Sequence, residues 1–193
     1  MIVAASALAL AACGQRDGTA NTADANLATN EAAGFDAGNV GVAATNTATP
    51  AASGAQAFAN TAAASDAFEI ETSKLALDNS NSAAVKKYAN QMIAAHTAST
   101  AKLKATTADL TPSVTPDPTL NAEQQATLDA LKAKKGADFD TAYIAGQTSG
   151  HQQALDMLKA YAATGESPAL KSFASGLAPT VAAHLNMVKG LKP

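Results

Sequence analysis

Residues 137–163 read ADFDTAYIAGQTSGHQQALDMLKAYAA, and the spacing of their large side chains decides the fold class. The stripe advances in steps of three or four residues and consists of Phe139, Tyr143, Gln147, His151, Leu155 and Leu158. This spacing is that of an amphipathic α-helix with one face against a core. The stretch therefore predicts a long helix that carries His151 on its interior face.

The same periodicity recurs in three other stretches, which we expect to form helices over residues 65–79, 82–110 and 168–191. The last two place His96 and His184 on their apolar stripes. Ser65 or Asp66, followed by Glu69, predicts the start of the first helix, because this pattern is typical of a capping box. Prolines in residues 111–119 predict a crossover loop. A short helix is expected over residues 121–135, and Ser167-Pro168 predicts the cap of the last helix.

No strand pattern competes with these helices, so the predicted fold class is all-α. Two helical hairpins joined by a proline-rich crossover predict a four-helix bundle with an additional short helix. Residues 65–193 are numerous enough to fold as one domain without disulfide or metal staples.

The amino-acid composition of the chain before this domain differs from that of the domain itself. Residues 13–64 are rich in Ala, Thr, Asn and Gly and show no helical or strand period, so we predict a disordered linker. The net charge is −3 and Arg16 is the only arginine. No basic surface suited to a phosphate backbone stands out, which argues against nucleic acid as a partner.

The first residues resemble a bacterial lipoprotein signal peptide. Residues 1–12 are almost uncharged and apolar, and the run ends Leu10-Ala11-Ala12-Cys13-Gly14. Such a run is too short to span a membrane but suits a secretory signal. The resemblance implies lipidation of Cys13 and a periplasmic domain anchored to the outer membrane. The alternative is that Cys13 is an incidental residue in a signal cleaved elsewhere.

Three further runs resemble a bacterial ferritin-like family catalogued as domain of unknown function 4142. They are residues 85–89 with Met92 and His96, residues 139–144 with His151, and residues 168–174 with Pro179 and His184. The resemblance implies a ferritin-like helical domain in the cell envelope and no known activity. Family members often carry an acidic residue just before the first and second histidines, where this chain has Ala95 and Gly150.

The three histidines are the only candidates for chemistry. A ferritin-like di-iron site needs Glu-x-x-His motifs, and no glutamate lies three residues before His96, His151 or His184. A mononuclear transition-metal site remains, with zinc, iron or copper as the ion. Its fourth ligand is Glu71, which lies on the stripe of the first helix between Phe68 and Leu75. Two alternatives stay open. In one, the histidines form a pH-responsive cluster. In the other, each is a core residue satisfied by a buried water or by a hydroxyl or amide such as that of Ser99, Gln147 or Thr180.

Distances along the predicted hairpins argue against all four side chains meeting. Counted from a turn near Ser80, Glu71 and His96 are offset by roughly 10 Å at 1.5 Å per residue. His151 and His184 are offset by roughly 6 Å across the second hairpin. We therefore expect His151 and His184 to form a close pair and His96 to be a separate polar residue of the core.

Two classes of function follow from these features. The chain lacks a nucleophile motif, a phosphate-binding glycine loop and a Cys-x-x-Cys pair, so no enzyme class is indicated. The first class is a non-enzymatic envelope lipoprotein that acts by contact with an envelope protein or cell-wall component. The second is a metal-binding or metal-dependent redox protein that uses the inward histidines.

Overall fold

A computed structural model describes residues 54–193, which form five α-helices and no strand within that range. The helices are α1 (Gly54–Asn79), α2 (Ala83–Thr107), α3 (Ala122–Lys132), α4 (Gly136–Thr164) and α5 (Pro168–Lys189). Four of them are long and α3 is short, which confirms the predicted all-α bundle with one additional short helix. None of these helices has a stretch apolar enough, over a sufficient length, to cross a membrane.

The bundle consists of two hairpins that pack against each other. α1 pairs with α2 through the turn at residues 80–82, and α4 pairs with α5 through the turn at residues 165–167. Across the bundle, α1 contacts α4 and α2 contacts α5. The loop of residues 108–121 joins the hairpins, and α3 lies against both α1 and α4. As a result, α1 contacts three other helices.

Polar caps define where several helices begin. The hydroxyl of Ser82 accepts a hydrogen bond from the backbone of Val85, and that of Ser167 accepts one from Leu170. Pro168 is the first residue of α5, as the sequence predicted. Asn121 forms a complete capping box with the residue three positions later. Each such cap stabilises its helix by about 1 kcal/mol.

The core is built from the predicted stripes. The side chains of all six stripe residues of α4 are buried. The large apolar side chains that meet them are Val85, Met92, Leu103, Leu170 and Val188. α5 continues through Pro179, whose exposed position avoids a conflict with the core.

The first helix begins earlier than the sequence predicted. α1 starts at Gly54, so residues 54–64 belong to the folded domain and not to a linker. The cause is the high alanine content, which suggested disorder but also favours helix formation and close packing. Ala59 is fully buried, and Phe58 stacks on Tyr161 at 3.9 Å between ring centroids. The predicted signal peptide at residues 1–12, Cys13 and the linker up to residue 53 lie outside the described residues.

The packing of Phe58 can be tested by replacing its side chain with that of alanine. Phe58→Ala should lower the free energy of unfolding by about 3–5 kcal/mol, because it empties a buried aromatic site. Met187→Ala is the control, since Met187 is 40% exposed and its loss should change stability by less than about 0.5 kcal/mol. Urea denaturation of the full chain, followed by circular dichroism, measures both. Equal, small effects would contradict the packing of the first turns of α1.

Candidate metal centre

The three histidines come from three different helices and meet in the middle of the bundle. His96 lies on α2, His151 on α4 and His184 on α5, and their side chains are only 5%, 1% and 7% exposed. The ring centroids are 5.5–5.7 Å apart in every pair. One nitrogen from each ring lies within 4.8 Å of one from each of the others. The prediction that His96 is a separate core residue is therefore wrong.

His96 is held by a carboxylate from the neighbouring helix. Its Nδ1–H donates a hydrogen bond of 2.8 Å to Oδ1 of Asp66 on α1. The other oxygen of Asp66 accepts a bond from the hydroxyl of Thr100. When the ring is neutral, Nδ1 carries the proton in this bond and Nε2 is the atom with a free lone pair. The Asp66 interaction therefore fixes both the orientation of the ring and its tautomer.

His151 is held by its own helix. Its Nδ1–H donates to the backbone carbonyl of Gln147 at 2.9 Å, and Oε1 of Glu69 lies 3.5 Å from the same nitrogen. A carbonyl oxygen can only accept, so Nδ1 is again the protonated nitrogen. The amide of Gln147 in turn donates to the hydroxyl of Thr72. This arrangement also leaves Nε2 of His151 with a free lone pair.

Each ring leaves one buried nitrogen unused. Within residues 54–193, Nε2 of His96, Nε2 of His151 and Nδ1 of His184 are buried and have no hydrogen-bond partner. Leaving a buried polar atom unpaired costs about 1–3 kcal/mol. Three such atoms in one cluster are what a site for an electron-pair acceptor requires. The partners expected from the sequence do not satisfy them, since Ser99 itself lacks a partner and Thr180 is exposed.

Burial and neighbouring charges separate the pKa values of these groups. Burial raises the pKa of Glu69 to about 7, which the charge of His96 and the amide of Gln147 only partly oppose. Burial lowers the pKa of His151 to about 3 and that of His184 to about 4, and the charge of His96 adds to both shifts. For His96, burial is outweighed by the hydrogen bond to Asp66 and by the two carboxylates, so its pKa is raised.

Two tyrosines close the cluster on one side. The ring of Tyr88 lies 6.4 Å from that of His151 and 6.3 Å from that of Tyr143. The hydroxyl of Tyr143 is hydrogen-bonded to Ser73 at 2.8 Å. Burial raises the pKa of both tyrosines, and the nearby carboxyl group of Glu69 adds to the effect. These phenols are therefore neutral walls of the site.

The acids of the site are not the one predicted from the sequence. Glu71 is exposed, whereas Asp66 and Glu69 are 4% and 2% exposed and face the histidines. The proposed fourth ligand Glu71 is thus replaced by two acids that the sequence had assigned to a helix cap. The sequence could have identified Asp66, because Asp66 and His96 lie at nearly equal distances from the turn at residues 80–82.

The geometry is close to that of a metal site. Three nitrogens within 4.8 Å of one another lie no more than about 2.8 Å from a common point, whereas a metal–imidazole bond is about 2.0–2.1 Å. Inward shifts of at most about 0.7 Å bring all three to bonding distance. The imidazoles fit a single transition-metal ion, and the Nδ1 partners of His96 and His151 match the outer hydrogen bonds that metal-bound histidines usually make.

Gly150 makes room for Glu69. A Cβ added at Gly150 meets Oε1 of Glu69 at 3.0 Å, whereas one added at Gly176 on α5 meets only the flexible end of Lys102 at 3.6 Å. Gly176→Ala should raise the free energy of unfolding by about 0.5–1 kcal/mol, as alanine favours helix. Gly150→Ala should give no such gain. Chemical denaturation of both variants tests this, and an equal gain would contradict the close contact with Glu69.

The fold is similar to that of a solved structure. A solved structure described as CopM in the Cu(II)-bound form is similar, with a TM-score of 0.58 and 19% sequence identity, covering 70% of this chain and 93% of that chain. This similarity shows a shared fold. No curated protein matches the sequence. The model of the family described as "Domain of unknown function (DUF4142)" matches residues 40–191, and the chain therefore belongs to that family.

Proposed function

We propose that this protein binds a single divalent transition-metal ion through His96, His151 and His184. The observation that carries the proposal is the convergence of three buried imidazoles, each of which offers a nitrogen within 4.8 Å of the other two. Each ring also has one buried nitrogen without a hydrogen-bond partner within the described domain. A purely structural core favours pairing of these atoms, because unpaired buried nitrogens destabilise the fold. Binding of an ion gives all three a partner at once.

The donor set indicates which ions are suitable. Imidazole nitrogen binds zinc, copper, nickel and iron, and affinity for divalent ions at such sites rises to a maximum at copper. The similar fold of CopM, described in a Cu(II)-bound form, supports copper(II) as the first candidate. Asp66 supplies negative charge beside the cluster, which a buried cation needs. Glu69, whose pKa burial raises to about 7, adds a second negative charge when a bound cation favours loss of its proton.

Residues around the three histidines orient the imidazoles and shield them from water. Asp66 and the carbonyl of Gln147 hold the Nδ1–H groups of His96 and His151 and so keep their Nε2 atoms directed at the ion. The core around the cluster excludes bulk water. Holding an ion in this way is a binding function, and it agrees with the absence of a nucleophile motif in the sequence.

Metal analysis of the full chain, purified without a histidine tag, tests the proposal. After incubation with copper(II) and desalting, the wild-type protein should retain one equivalent of metal. His96→Ala, His151→Ala and His184→Ala should each retain far less, because each removes one of three ligands. Retention well below one equivalent by the wild type would overturn the proposal. Full retention by all three folded variants would do the same.

Two carboxylate variants provide a matched comparison. Asp66→Asn should weaken metal affinity by about 10- to 100-fold, because it removes the group that orients a ligand. Glu71→Gln removes a carboxylate from the same helix at an exposed position and should leave the affinity unchanged. Competition with a chromophoric chelator measures both. Equal effects would show that general charge, and not the contact with His96, determines affinity.

We further propose that the domain is tethered to the periplasmic face of the outer membrane through lipidated Cys13. The support is the lipobox-like run Leu10-Ala11-Ala12-Cys13. In cells grown with labelled palmitate, the wild-type chain should incorporate label and partition into detergent. Cys13→Ser should do neither. A wild-type chain that stays in the aqueous phase would rule out this anchor.

A further inference from the structure

The proposed ligands are buried, so an ion needs a route to them. The imidazole side chains are at most 7% exposed. Two cavities share part of their lining: an outer cleft, and a smaller inner cavity that buried core residues, His96 among them, help to line. Their lining residues suggest how an ion passes.

The outer cavity is a cleft of about 120 Å³ between α1, α3 and α4. Its polar rim includes Ser65, Glu123, Ser149 and Gln153. The amide of Gln153 donates to the carboxylate of Glu123 and to the hydroxyl of Ser149, both at 3.3 Å. Oxygen atoms of a carboxylate and of hydroxyl groups suit a partly hydrated cation. The floor of the cleft is apolar and includes Phe68.

The inner cavity is far smaller, at about 20 Å³, which is enough for one water molecule or one bare ion. Asp66 and His96 line it, so it borders the candidate metal centre directly. Ser99 also lines it, and the buried hydroxyl of Ser99 has no hydrogen-bond partner among residues 54–193. An unpaired hydroxyl beside a carboxylate in a space of this size indicates that the cavity receives a polar guest.

Three residues line both cavities and therefore form the partition between them: Ser65, Ala154 and Met157. Ser65 and Ala154 are small. Met157 is the one long side chain of the three, is partly exposed, and is unbranched with three rotatable bonds. Its movement can connect the two spaces without displacing any helix.

From this arrangement we propose that the cleft between α1, α3 and α4 is the access route for the metal ion, and that Met157 gates it. The proposal rests on the proposed metal-binding function. The cation first meets the carboxylate and hydroxyl oxygens of the cleft, and it enters the inner cavity when Met157 rotates aside. There Asp66 and Ser99 offer oxygen atoms before the histidine nitrogens bind the ion.

The experiment measures exchange rates on the full chain loaded with copper(II). Release to excess EDTA and uptake by the metal-free protein are followed by stopped-flow absorbance. Met157→Ala should accelerate both rates by about tenfold, equivalent to about 1.4 kcal/mol off the barrier to opening, with the dissociation constant unchanged. Ala154→Leu narrows the partition and should slow both. Met187→Ala makes the same change at an exposed site on α5 and should leave both rates unchanged.

The possible outcomes separate this inference from the function on which it rests. Wild-type protein that binds one equivalent, with rates unaffected by Met157→Ala and Ala154→Leu, overturns the route and leaves the binding function standing. A change in release alone, with altered affinity, shows that Met157 stabilises the bound state and also overturns the gate. Failure of the wild type to bind metal overturns both proposals.

Discussion

The hydrogen bond between Asp66 and His96 is the interaction on which the rest of the site depends. It joins α1 to α2 at 2.8 Å in a region where both side chains are almost fully buried. It therefore fixes the level at which the first hairpin aligns, since a slip of one turn separates the two groups by about 5 Å. It also holds the proton of the neutral ring on Nδ1, which leaves the lone pair on Nε2, the buried nitrogen of His96 that has no hydrogen-bond partner within residues 54–193. The alignment of helices and the chemistry of the cluster thus have a common cause.

The cluster is costly to the fold, and the surrounding layers offset that cost. Burying several unpaired polar atoms destabilises the native state by about 1–3 kcal/mol for each atom. On either side of the cluster the bundle is tightly packed, with Phe139 and Val188 towards one end and Leu170 at the end with the turn at residues 165–167. Elsewhere in the core, Phe58 stacks on Tyr161 and meets Phe173 edge-on. Such aromatic and aliphatic burial stabilises by about 1.5–3 kcal/mol per side chain. The burial of these side chains therefore offsets the free-energy cost of the polar cluster.

The sequence predicted the architecture well because α4 and α5 each bury a narrow stripe. Every residue of the α4 stripe, from Phe139 to Leu158, is buried as expected. The prediction for α1 was less accurate because α1 contacts α2, α3 and α4 and therefore buries side chains around much more of its circumference. A single stripe through Phe68 therefore selected Glu71, while Asp66 faces α2 and Glu69 faces α4 of the opposite hairpin. Periodicity alone cannot reveal a face that is buried by a third neighbour.

The offset predicted for the second hairpin shows a further limit of counting residues. His184 lies farther from the turn at residues 165–167 than His151 does, which suggested a gap between them. Side chains on a helix lean towards its N-terminus, so His184 leans towards the turn and His151 leans away from it. Both displacements reduce the gap, and the rings meet at 5.5 Å between centroids. When the residue on the second helix of a hairpin lies farther from the turn, a count of backbone residues therefore overestimates the gap between the two side chains. Side-chain direction explains how the stripes of α4 and α5 bring His151 and His184 together.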